Sequence, residues 1–270
     1  VYANHLAGLT YPVTVDPSVV ITSSNDFSKG NSESNIDFPA NQINRGGLTG
    51  GTLGTWNTTN TFTTARRQFG AAAYNGYLYI AGGFSGSYLN DVQYAPLNSN
   101  GTVGTWNTTT SFTTARSDQA AVVYKGYLYM GGGLSVTPST VYNNDVQYAP
   151  INANGTVGTW NTTASFTTGR TGLSFVAYND FLYVLTGQNS GSTYQSDVQY
   201  ASINSDGTIG SWAATTSFTT GRYYSGVYAT NGYLYLLGCY SGSYLNDVQY
   251  APVNANGTVG KWNTTTTFTT

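Results

Sequence analysis

Short apolar runs broken by Asn-Gly, Gly-Gly and Pro recur along the whole chain, and no stretch holds a 3.6-residue hydrophobic period. The pattern predicts strands and almost no helix. Residues 66–115 show it plainly. Phe69 to Tyr74 is small and apolar, and Asn75-Gly76 then makes a tight turn. Asn-Gly between apolar runs is the strongest short hairpin signal, because both central residues of the turn must tolerate positive φ. A second strand, Tyr77 to Ala81, is stopped by Gly82-Gly83, and a third, Asp91 to Ala95, by Pro96. Another Asn-Gly pair, Asn100-Gly101, leads to a fourth strand around Val103 to Trp106.

This unit repeats. Trp56, Trp106, Trp160, Trp212 and Trp262 are spaced by 50, 54, 52 and 50 residues, and each ends a near-copy of one phrase, Asn-Gly-Thr-Val-Gly-Thr-Trp in its clearest form. A period near 50 with four short strands per unit fits one blade of a β-propeller. Each unit opens on an Arg (Arg66, Arg116, Arg170, Arg222), carries an aromatic-rich strand before a Gly-Gly pair, starts strand three at an Asp-Val (Asp91, Asp145, Asp197, Asp247), places a Tyr shortly after it and closes on Trp. In these features it resembles the kelch repeat over residues 66–270. Two units depart from it, with Thr186-Gly187 and Gly238-Cys239 at the doublet, so at least one Gly there is expected to serve turn convenience rather than an absolute need.

The resemblance implies an all-β, kelch-type β-propeller of four-stranded antiparallel blades. Five blades are expected: a linker over 1–9, a degenerate first blade over 10–65, then blades at 66–115, 116–169, 170–221 and 222–270. The first-blade reading rests on Gly51-Thr-Leu-Gly-Thr-Trp56, on Tyr11 to Asp16, and on Asn35 to Phe38 before Pro39. The alternative makes this region the end of a preceding stalk and the chain a slice of a longer array. With neither signal peptide nor initiator Met in the sequence, the chain reads as a mature or excised piece. It ends on a unit boundary, Phe268-Thr-Thr270, and an unmatched end of a repeat array is expected to fray or to assemble.

Strand parity sorts the loops. The hairpins joining strands one to two and three to four are short, whereas the loops joining strands two to three differ in length and lie on the opposite face with the blade-to-blade connections. Varying loops on a constant scaffold are where binding usually resides. On that face stand Phe84, Tyr88, Tyr142, Tyr194, Tyr240 and Tyr244, candidates for stacking on a sugar or a protein; packing on neighbouring blades is the other reading. The repeated Arg and Asp start strands one and three on the same side. They are either a ring of cations for a carboxylate or phosphate, or structural ion pairs, and pairing is the favoured reading. The five Trp residues are read as blade packing.

Charge narrows the partners. Only 7% of residues are charged and the net charge is -2, so nothing draws in a nucleic acid backbone. No apolar run approaches a membrane span. The single Cys (Cys239) and single His (His5) exclude a disulfide framework, a Cys-based zinc cluster, and triads that need a partner His. Kelch-type propellers include the copper enzyme galactose oxidase, but its His ligands cannot be assembled here. Asp206 sits in a weak echo of a calcium loop, and no metal or cofactor is expected. Outside the repeated positions, Asp118, Asp180 and Asp206 leave a glycoside-active enzyme as a minor reading. The expectation is a non-enzymatic extracellular or cell-surface propeller that adheres to a glycan or protein ligand. The alternative is a structural subunit of a surface filament, stalk or layer that binds copies of itself.

Overall fold

A computed structural model describes residues 55–136 and 138–269. Residues 58–270 form one compact unit, and the account below concerns it; most of the degenerate blade expected over 10–65 lies outside the described residues. Four sheets of four antiparallel strands make it up, with no helix among the described residues. Blade A contains β1 (Gly70–Tyr74), β2 (Tyr77–Phe84), β3 (Tyr88–Pro96) and β4 (Asn107–Thr109). Blade B has β5 (Ala120–Tyr124), β6 (Tyr127–Gly131), β9 (Val146–Pro150) and β10 (Asn161–Thr163), with a small hairpin of β7 (Leu134–Val136) and β8 (Thr140–Tyr142) in its long loop. Blade C has β11 (Ser174–Tyr178), β12 (Phe181–Leu185), β13 (Val198–Ser202) and β14 (Ala213–Thr215). Blade D has β15 (Gly226–Thr230), β16 (Tyr233–Tyr240), β17 (Tyr244–Pro252) and β18 (Asn263–Thr264). The first strands β1, β5, β11 and β15 neighbour one another in succession, so strand one is the inner strand.

The hairpins form where the sequence places them. Asn75 and Gly76 adopt φ of 46° and 77°, the two left-handed residues of a type I′ turn. Tyr74 then pairs with Tyr77, and Ala72 with Tyr79. The Gly-Gly doublet does not end strand two in blades A and D. The strand bulges there and continues, from Ala81 to Gly83 and from Leu237 to Cys239. Nor is the doublet a matter of turn convenience. Both positions are left-handed in every blade, and a Cβ on Gly83 would stand 2.7 Å from the Arg67 carbonyl oxygen. Thr186 (φ 60°) and Cys239 (φ 89°) therefore carry backbone strain that Gly avoids.

Strand four is displaced from its expected place. Val103 makes only an isolated bridge to Leu97, and the strand begins after the Trp, at Asn107. The cause lies in the neighbouring blade. The Val157 N–H donates to Thr109 Oγ1 of the preceding blade at 2.8 Å, and Ile209 and Val259 bond Thr163 and Thr215 in the same way. The apolar residue of the phrase thus faces the preceding sheet rather than its own, and the ladder passes to the Thr-rich run.

The core lies between blades, in three clusters. Between A and B it holds Tyr79, Val92, Phe112, Leu128, Met130 and Trp160. Equivalent sets fill the gaps from B to C around Phe166 and Phe175, and from C to D around Phe218 and Trp262. Each interface repeats one set of contacts. The Phe six residues after one Trp meets the next Trp edge-on: Phe62–Trp106, Phe112–Trp160, Phe166–Trp212 and Phe218–Trp262 at 5.8–6.0 Å. The indole N–H of Trp160, Trp212 and Trp262 donates to a carbonyl of the preceding unit at 2.8–2.9 Å. The hydroxyls of Tyr79, Tyr129 and Tyr183 reach the turn carbonyls of Gly155, Gly207 and Gly257 in the next blade. Trp56, expected to pack with the other four, is instead 86% exposed; no upstream Phe covers it among the described residues.

Candidate functional site

The repeated charges are consumed by one another. Arg66 Nη1 and Nη2 lie 2.7 and 2.8 Å from the two Asp91 oxygens, and Nη1 also donates to the Gly82 carbonyl. Arg116–Asp145, Arg170–Asp197 and Arg222–Asp247 repeat this two-pronged pairing. All four guanidinium side chains are at most 1% exposed, so no solute anion reaches them. The repeated Gln two residues beyond each Asp, such as Gln199, donates to the same carboxylate, and its carbonyl accepts the Thr167 N–H of the incoming chain. The pairs therefore bolt each blade to the segment that enters it.

Burial pushes these carboxyls up, but hydrogen bonds from the guanidinium and the Gln amide, together with the guanidinium charge, outweigh it. Asp91, Asp145, Asp197 and Asp247 all lie below the usual Asp value. A lowered folded-state pKa contributes stability that is complete above the unfolded value, about 4, and is lost as pH falls through the folded value. The urea midpoint should accordingly stay flat from about pH 7 to 5 and drop below about pH 4; a midpoint unchanged down to pH 2 would contradict the assignment.

On the loop face, a second feature occupies the start of each inner strand. Two residues after each Arg stand Gln68, Asp118, Gly172 and Tyr224, all left-handed with φ of 57–61°. Their backbones link the blades: Asp118 N–H donates to Gln68 O, Gly172 N–H to Asp118 O, and Tyr224 N–H to Gly172 O, at 2.8–3.0 Å. The Tyr224 side chain then crosses the mouth that these residues rim. Its hydroxyl donates to Asp118 Oδ1 at 2.5 Å and accepts from Gln68 Nε2 at 3.1 Å, while Ser117 Oγ donates to Asp118 Oδ2. Burial, and next the bond to Asp118, raise the Tyr224 phenol above its usual value, so it remains a donor.

Beside this mouth the blade C and D loops bring five tyrosines together. Tyr194 stacks on Tyr223 at 5.3 Å and 16°, and Tyr240 stands edge-on to both at 6.0 and 5.7 Å. Tyr244 meets Tyr240 at 5.3 Å, and Tyr224 meets Tyr223 at 4.5 Å. Tyr244 is 89% exposed. Of the aromatic candidates in the sequence, Tyr194, Tyr240 and Tyr244 are thus gathered. Phe84 and Tyr88 form a separate pair on blade A at 5.3 Å, with the Arg67 guanidinium over Phe84. Tyr142 ends β8, paired with Leu134 and away from both.

Gln68, Tyr223 and Tyr224 escaped the sequence reading, and Asp118 entered it only as an acid outside the repeated positions, although a signal was present. The two residues after the repeated Arg read Arg-Gln, Ser-Asp, Thr-Gly and Tyr-Tyr in the four units, a variable pair inside an otherwise near-constant phrase. Among the described residues no three His, Cys, Asp or Glu side chains cluster as metal ligands would, and no helix is long and apolar enough to cross a membrane.

Comparison with known proteins agrees with this architecture. The Kelch motif model matches residues 65–94, the stretch that holds Arg66, the Gly82-Gly83 bulge and Asp91. A solved chain titled "Structure of YjhT" superposes with a TM-score of 0.62 at 16% identity, covering 75% of this chain and 65% of that one. This protein therefore spans less than two thirds of that chain. No curated protein sequence matches. The described blades are those of a kelch-type β-propeller, a scaffold fold for binding proteins or other ligands.

Proposed function

We propose that this protein is a non-enzymatic adhesion module, displayed outside the cell, that holds a neutral glycan on its loop face. The tyrosine cluster of Tyr194, Tyr223, Tyr240 and Tyr244 carries the reading. Its rings supply faces for the apolar sides of sugar rings and hydroxyls at their edges. The adjoining mouth adds the Asp118 carboxylate and Gln68 amide as polar groups that fix orientation. The repeated Arg side chains, closed off by their Asp partners, offer no cation to a charged ligand, and the exposed Arg67 stands over Phe84 rather than among the clustered tyrosines. The same pairing removes the repeated carboxylates from acid–base work, which supports a binding role over hydrolysis.

The test is a panel of neutral glycans titrated by calorimetry against the native chain and a Tyr223→Ala/Tyr240→Ala variant. Two lost rings, at about 0.5–1.5 kcal/mol each, weaken binding by roughly tenfold or more. Tyr142→Ala, on the same face but apart from the cluster, should bind as the native chain does. Undiminished binding by the double variant would overturn the site, and binding of protein ligands alone would overturn the glycan.

A further inference from the structure

In blades A, B and C a tyrosine occupies one equivalent point of the loop from strand two to strand three: Tyr88, Tyr142 and Tyr194. The carbonyl of the residue after it accepts the N–H of the next unit's Arg. Arg116 donates to Leu89 O, Arg170 to Asn143 O and Arg222 to Gln195 O, at 3.0–3.2 Å. The residue before that Arg is Ala115, Gly169 or Gly221, and the choice follows loop length. Eight positions separate Gly83 from Asp91, and Ala115 follows. Twelve separate Gly133 from Asp145 and ten separate Gly187 from Asp197, and glycine follows both. The packing supplies the reason. A Cβ on Gly169 would stand 2.1 Å from the Tyr142 carbonyl oxygen, and one on Gly221 would stand 2.1 Å from the Tyr194 carbonyl oxygen. Neither glycine has a positive φ, so the close approach of the longer loop, not backbone freedom, is what demands glycine.

The incoming segment cannot give way at this point. Arg222, the next residue, is 1% exposed and is pinned by both Asp247 oxygens and the Gly238 carbonyl. A side chain at 221 therefore pushes the loop, by roughly 1 Å to restore an ordinary carbon–oxygen contact, and Tyr194 moves with it. Groups that bind a ligand must be held to within about 0.5 Å. We infer that Gly221 is the positioning residue of the glycan site: by admitting the longer blade C loop against the incoming segment, it lays Tyr194 flat on Tyr223. The inference rests on the glycan reading of the tyrosine cluster. Gly169 does the same for Tyr142, which lies apart from that cluster. The two glycines thus relieve one steric conflict, and only one of them bears on the ligand.

Calorimetry with the glycan panel, urea denaturation and proton NMR of the full chain test this on Gly221→Ala and Gly169→Ala. The two variants should lose urea stability alike, because the conflict is the same. Only Gly221→Ala should bind its glycan less tightly, by roughly threefold to tenfold, the worth of one stacked aromatic pair. Only it should lose the nuclear Overhauser contacts between the Tyr194 and Tyr223 rings. Native affinity in Gly221→Ala, retained ring contacts, or an equal loss of binding in Gly169→Ala would each overturn the inference. A native chain that binds no glycan would overturn the glycan reading, and with it the ligand role of Gly221. The ring contacts, read without ligand, separately decide whether Gly221 places Tyr194. A third variant serves where Gly221→Ala does not fold. Replacing Gln188 to Tyr194 in that chain by the blade A tip, Phe84 to Tyr88, should raise the urea midpoint again, because that tip is followed by Ala115 in its own blade. A midpoint that stays down would overturn the coupling of loop length to glycine.

Discussion

Replacing Asp197 by Ala is expected to destabilise the fold by about 3–5 kcal/mol, the cost of leaving a buried charge without its partner. Arg170 is fully buried, and its guanidinium spends its donors on Asp197, on the Thr186 carbonyl at 3.2 Å and on the Thr168 carbonyl at 3.1 Å. The two carbonyls cannot replace a carboxylate. Gln199 also loses its acceptor, and with it the anchor that presents its own carbonyl to Thr167. Urea denaturation at pH 7 measures the loss. Asp197→Asn should fall between the native protein and the Ala variant, because it keeps one acceptor and loses the charge. A loss below about 1 kcal/mol for Asp197→Ala would show that water reaches the guanidinium after all.

The second large effect distinguishes two residues that the repeat makes equivalent. Phe166→Ala should cost about 3–5 kcal/mol, because the ring is fully buried and its removal leaves a cavity. That cavity would open beneath Trp212 at 6.0 Å, beside Phe175 at 6.2 Å and under the Arg170 guanidinium at 5.7 Å. Phe268→Ala, at the same position of the phrase, should cost less than about 1 kcal/mol in dilute solution, where its face is open to water. Parallel urea titrations of the two variants at low concentration give the comparison. Equal losses would mean that Phe268 is covered within a single chain.

Much of this architecture was legible in the residues because its causes are local. The Asn75-Gly76 and Asn231-Gly232 turns follow from the backbone freedom of the two residues concerned. The four units are visible because Arg, Asp and Trp recur in register. The fourth strand was misplaced for a non-local reason. Val103 looks like a strand residue by its own chemistry, but its amide is claimed by Thr59 of the preceding unit, and no count along one unit reveals that. The Gly82-Gly83 doublet was underread for a similar reason, since the groups that crowd it come from residues 67, 69, 112, 116 and 119.

The candidate site divides along the same line. Tyr194, Tyr240 and Tyr244 could be assigned to the loop face from strand parity alone. Their union with Tyr223 and Tyr224 depends on the packing of blade C against blade D, which brings residues about thirty to fifty positions apart within ring contact. The bond from Tyr224 to Asp118 spans two blades. By itself the sequence determined the first three strands of each unit, the hairpins, the blade period and the Arg–Asp partners, because spacing and backbone preference act within a unit of about 50 residues. The tertiary structure alone decided which tyrosines meet, which residues rim the mouth, and that Phe166 is core while Phe268 is surface. Burial and aromatic contact depend on what a neighbouring blade places opposite, and near-identical phrases carry no record of what faces each of them.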